Sequence, residues 1–94
     1  MRTITVTKDI SYPNPWVAQY RIDGWGNPAG EVYDLKNGQF LALVNSASTG
    51  YRRKVFKKSL AAYAWVQNKL REEFPNDQLN FTIAVPNILL NQSK

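Results

Sequence analysis

The dipeptide Asn37-Gly38, set between Glu31–Lys36 and Gln39–Val44, constrains this chain more than any other local feature. Asn-Gly supplies the two positive φ values of a type I′ turn, so the flanking segments are expected to fold back as a β-hairpin. That turn sets Lys36 opposite Gln39, Leu35 opposite Phe40 and Tyr33 opposite Ala42. Phe40-Leu41-Ala42-Leu43-Val44 is apolar at every position, the pattern of an interior strand covered on both faces. Alternation predicts further strands. Ile4 and Val6 share one face of Thr3–Thr7. Trp16, Ala18, Tyr20 and Ile22 share one face of the next segment, and Tyr12-Pro13-Asn14-Pro15 separates the two.

A turn-rich loop, Asp23–Gly30, leads to the hairpin, and Asn45–Gly50 reads as a polar loop after it. The apolar spacing then predicts a helix from about Ser59 to Phe74, with Ser59 as N-cap and Pro75-Asn76-Asp77 closing it. At 100° per residue, Leu60, Tyr63, Val66, Gln67, Leu70 and Phe74 share one face. Asn80–Val85 reads as a last strand with Phe81, Ile83 and Val85 on one face, stopped by Pro86. The expected fold class is α+β: an antiparallel sheet of about four to five strands, in the order β-β-β-β-α-β, with one main helix packed on it. The 94 residues suit a single domain over 1–94, with a frayed tail at 91–94.

Chemistry is constrained by what is missing. The chain has no His and no Cys. It therefore lacks the usual acid–base shuttle near neutral pH, thiolate or imidazole metal ligands, and a disulfide framework. No Gly-rich phosphate loop and no nucleophile elbow occur. Asp23 with Asp34-Leu35-Lys36 loosely matches the carboxylate–lysine arrangement of metal-dependent nucleases, but Asp34 and Lys36 flank a tight turn, where surface charge is ordinary. The chain is thus expected to be no enzyme and to need no cofactor or metal. No apolar run approaches the ~20 residues of a membrane span, and the first residues lack the apolar block of a signal peptide, so a cytoplasmic protein is expected.

Charge is grouped. The net charge is +5, yet residues 1–44 are neutral. Residues 45–71 hold Arg52, Arg53, Lys54, Lys57, Lys58, Lys69 and Arg71 without an acid. A block of one sign is the pattern of a surface that faces phosphates or acidic groups. Lys57 and Lys58 also precede a helix whose N-terminus is already positive, a placement that costs about 0.3–1 kcal/mol each when exposed. The candidate contact residues are Tyr51, Arg52, Arg53, Lys54, Lys57, Lys58, Trp65 and Lys69, with Trp25 as a further aromatic contact. Trp65 lies at the edge of the helix's apolar arc and reads either as a stacking platform or as a cover for the sheet edge. Trp25, between Gly24 and Gly26, reads as exposed or as folded back onto the core.

Phe40–Val44, the loop with Gly50, Arg52-Arg53-Lys54-Val55-Phe56 and Ala62-Tyr63-Ala64-Trp65-Val66 together resemble the arm-type DNA-binding domain of phage tyrosine recombinases. The resemblance covers residues 40–66. It implies a three-stranded sheet followed by a helix, a sheet that binds in the DNA major groove, and Arg52, Arg53 and Lys54 on the DNA. The chain departs from that family in its all-apolar Phe40–Val44 and its extra strand at Asn80–Val85. In style it also resembles small phage and mobile-element accessory proteins, including anti-CRISPR proteins that inhibit host nucleoprotein machines. The expected partner is therefore nucleic acid, bound through a basic loop and helix start. The alternative is an inhibitor or adaptor that binds a host protein or nucleoprotein complex. A homodimer through an open sheet edge is a third arrangement.

Overall fold

The computed structural model describes residues 2–10, 16–46 and 50–84. Six strands and one helix follow in chain order: β1 (Thr3–Asp9), β2 (Trp16–Ile22), β3 (Gly30–Asp34), β4 (Phe40–Ser46), β5 (Gly50–Phe56), α1 (Ser59–Glu73) and β6 (Gln78–Ala84). The strands form one sheet in the order β5-β4-β3-β2-β1-β6. The fold is α+β, as expected. The 12–15 separator, the centre of the 45–50 loop, the Pro86 stop and the 91–94 tail lie outside the described residues.

Two features of the sheet differ from expectation. The segment after the polar loop, including the whole Arg-Arg-Lys run, is a fifth strand before the helix. It pairs with β4 from Phe40↔Phe56 to Ser46↔Gly50. The charges had hidden a regular strand. Moreover, β6 is parallel to β1, so the sheet is mixed and not purely antiparallel. The reason is topological. Antiparallel neighbours are joined by short turns, whereas β5 and β6 lie at opposite edges of the sheet. The helix between them crosses one face and delivers the chain beside β1, running in the same direction.

The expected hairpin forms with a register one residue away from the type I′ pairing. Val32 pairs with Ala42, and Tyr33 with Leu41. The loop is Lys36-Asn37-Gly38, with φ of 66° at Lys36 and 82° at Gly38. Asp34 Oδ1 accepts from the Lys36 N–H at 2.8 Å, and Asn37 Oδ1 accepts from the Gln39 N–H at 3.1 Å. A one-residue slip moves every side chain of a strand to the other face. The type I′ register would have put Glu31 and Tyr33 beside Val44 and Ala42 under the helix. The observed register puts Gly30 and Val32 there instead. Avoiding a buried carboxylate outweighs the cost of a left-handed lysine.

The helix sits against β3, β4 and β5. Its buried residues, Ala62, Val66 and Leu70, share one core with Val6, Tyr20, Val32, Ala42 and Val44. Leu60, expected on this face, is 77% exposed, because it projects opposite Ala62 on the wheel. The stripe is centred on small and β-branched residues because the helix approaches closely. A Cβ on Gly30 would stand 2.6 Å from Val66 Cγ1. Gln67 Nε2 donates to the Tyr20 hydroxyl at 3.4 Å, which satisfies a buried phenol. On the other face of the sheet no second described element packs. Leu41 and Leu43 are therefore half-buried and not covered on both sides, contrary to the reading of Phe40–Val44.

Candidate binding edge

Strand alternation divides the basic run. Cross-strand pairing sets Arg52 beside Val44 and Lys54 beside Ala42, on the helix side. Tyr51, Arg53 and Val55 project from the opposite, open face beside Asn45, Leu43 and Leu41. Lys57 and Lys58 then form the turn into α1, and both are exposed. Lys58, not Ser59, is the N-cap residue, and no side chain caps the helix start. A lysine can only donate hydrogen bonds, so it cannot satisfy the free N–H groups of a first turn.

The ion pairs sort the cations. Among the described residues, Arg2 pairs with Asp77, Arg21 with Asp9, Lys36 with Asp34, and both Lys69 and Arg52 with Glu72. Lys8 lies over the Tyr63 ring at 3.4 Å and Arg71 over Phe81 at 4.9 Å. Burial lowers the Lys8 pKa. Arg53, Lys54, Lys57 and Lys58 have no carboxylate partner among the described residues. Lys54 lies 5.5 Å from the centre of the Phe56 ring, still in solvent. These four cations lie along one sheet edge and the turn that continues it. Tyr51, 69% exposed, stands at the start of the same strand.

The remaining expected contacts are placed elsewhere. Arg52 is half-buried, held toward Glu72 at 3.8 Å, with its Nε buried and without a hydrogen-bond partner. Trp65 is half-buried and packs on Phe56, ring centres 6.1 Å apart, so it covers the sheet edge. Lys69 bonds Glu72 at 3.2 Å and is largely shielded from solvent. Trp25 packs on Phe74 with ring centres 5.9 Å apart. Phe74 caps the far end of a 15-residue helix, about 22 Å from the basic turn. Trp25 also lines an open pocket of about 300 Å³ with Arg2, Ile4 and Phe74. Asp23 and Asp34 lie at opposite ends of the β2–β3 pair, so the nuclease-like carboxylates do not converge.

The sequence reading missed the open face beside this edge. Tyr33, Leu41, Leu43 and Val55 line it, and Val55 is 46% exposed. The Tyr33 hydroxyl donates to Glu31 Oε2. Burial, and then that hydrogen bond, push the phenol pKa well above its ordinary value. The signal was present: a strand apolar on both faces, in a chain with one helix, must leave one face short of cover. Among the described residues, no helix is long and apolar enough to cross a membrane, and no three or more carboxylates gather as a metal site would need. Comparison with protein-family models, curated proteins and solved structures gives no match.

Proposed function

We propose that this chain is a non-catalytic nucleic-acid-binding protein that holds phosphates along β5 and the turn into α1. The observation that carries the reading is the set of Arg53, Lys54, Lys57 and Lys58, without carboxylate partners where most other described cations have one. The uncapped helix start beside Lys57 and Lys58 adds free N–H donors to the same corner. An anion there relieves charge repulsion that the isolated fold leaves in place. Tyr51 is the aromatic available for stacking on a base. The recombinase arm resemblance puts Arg52, Arg53 and Lys54 on DNA, and of these Arg53 alone faces away from the helix.

Four phosphate contacts imply a log–log salt slope of about −3.6 on duplex DNA, so affinity falls roughly a hundredfold between 50 and 200 mM salt. The test is fluorescence anisotropy with labelled duplex DNA, single-stranded DNA and RNA at both salts. The variant carries Arg53, Lys54, Lys57 and Lys58 changed to Glu. No binding at low salt, or equal binding by the variant, overturns the reading.

A second reading is an inhibitor or adaptor that docks on a host protein. It is favoured by the open face, where Leu41, Leu43 and Val55 lie between Tyr51, Arg53 and Glu31. An apolar patch rimmed by charge suits a protein partner. Leu41→Asn, a neutral change beside Val55 and Tyr33, would abolish such docking and leave phosphate binding intact.

A further inference from the structure

The two edges of the sheet are built differently. At one edge, β5 carries Arg52, Arg53 and Lys54. Cations on an edge strand block pairing with another strand, and two copies meeting there would oppose like charges. At the other edge, β6 reads Gln78-Leu79-Asn80-Phe81-Thr82-Ile83-Ala84, without an ionisable side chain, Pro or Gly. Among the described residues, none of the usual devices that blunt an edge is present at it.

We propose that the β6 edge is a self-association surface, at which a second copy of this chain adds its own β6 antiparallel about a two-fold axis through Phe81. The backbone phase supports this register. The Gln78 N–H donates to the Arg2 carbonyl at 2.9 Å, so alternation turns Asn80 and Thr82 toward β1 as well. The N–H and C=O groups of Leu79, Phe81 and Ile83 therefore point away from the sheet. Phe81 is the midpoint of β6. Pairing about it joins Phe81 to Phe81 of the second copy, Leu79 to Ile83, and Asn80 to Thr82. Each outward backbone group then gains a partner. Ile83, 66% exposed in the single chain, gains Leu79 of the second copy as an apolar neighbour on the same face.

Charge argues for a second copy as the occupant. A neutral strand meets its own copy without repulsion, and the two-fold repeats each contact. The cationic β5 edge lies five strand spacings away, about 24 Å. That exceeds the ~8 Å Debye length at physiological salt, so the cations of β5 are largely screened at the junction, and the cation nearest the axis, Arg71, lies over the Phe81 ring and not on the edge strand itself.

The test is analytical ultracentrifugation of the full chain over micromolar to millimolar concentration. The expected species has twice the 10.8 kDa chain mass. Ile83→Lys, at an exposed position beside Lys8, is expected to weaken self-association by about tenfold or more, with unchanged circular dichroism. Asn80→Lys and Asn80→Glu should each weaken it, and an equimolar mixture of the two should restore it. Arg53→Glu should leave it unchanged. A chain that remains monomeric at millimolar concentration overturns the proposal. So does a dimer that Ile83→Lys and the Asn80 variants leave intact, or one that Arg53→Glu disrupts. Nucleic-acid titration of the Ile83→Lys variant separates this proposal from phosphate binding at β5, which it leaves in place.

Discussion

The two faces of this sheet are made from the same strands, yet they have little else in common. On the helix side, Val6, Tyr20, Val32 and Val44 are fully buried. On the other side stand Thr5, Thr7, Gln19, Glu31, Tyr33, Leu41, Leu43 and Arg53, half-buried or exposed. Adjacent residues of one strand thus carry different duties. Val44 and Ala42 hold the fold, while Leu43 and Leu41, one residue away, lie where only neighbours in the sheet cover them. One helix cannot cover six strands on two sides, so stability is concentrated on one face and surface chemistry on the other.

Substitutions can break this contrast. Leu70→Ala removes a fully buried side chain at the helix–sheet interface and should cost about 2–5 kcal/mol in urea unfolding. An equal or larger loss from Leu43→Ala would show the open face to be covered. Gly30→Ala comes next. Its Cβ meets Val66 at 2.6 Å, and the helix must shift, at a cost of about 1–3 kcal/mol by the same measurement. Leu43→Ala itself should cost roughly 1 kcal/mol, because the half-buried side chain leaves little cavity behind.

The smallest effect appears at alkaline pH. Tyr20, Tyr33 and Tyr63 all have raised pKa values, chiefly from burial. Their protons leave the unfolded chain first, near pH 10. The stability they contribute is present below that pH and is lost as pH rises through the folded values. Lys8 acts in the opposite sense. Its pKa is lowered, so its contribution is present above its ordinary value and lost as pH falls through the folded one. Three tyrosines outweigh one lysine, and the melting temperature should fall between about pH 9 and pH 11. Tyr33→Phe should make that fall shallower. Identical slopes in wild type and Tyr33→Phe would show that Glu31 does not hold the phenol protonated.

Much of this was legible in the chain. The inward sets Ile4/Val6 and Ala18/Tyr20/Ile22, the hairpin at Asn37-Gly38 and the helix from Ser59 follow from period, turn chemistry and propensity, which act between near neighbours. The candidate cations were legible as a group, since composition needs no fold. Their division was not. It depends on Gly50–Phe56 being a strand, and Arg52, Arg53 and Lys54 gave no sign of one until β4 supplied a partner. Trp65 was ambiguous for a related reason: the wheel gives an angle, and Phe56 decides whether anything waits there.

The sequence by itself determined the α+β class, the hairpin at Asn37-Gly38, the helix from Ser59 and the surplus of positive charge near β5. The tertiary structure decided the rest. It shifted the β3–β4 register by one residue, because Val32 and not Glu31 must lie under the helix. It turned Leu60 out to water, because the helix seats on Gly30 through Val66. It also set β6 parallel to β1, leaving a charged edge and a neutral one at opposite ends of one sheet. Local rules fix what a segment prefers, but burial is shared between segments distant in the chain, and it is burial that selects among preferences of nearly equal free energy.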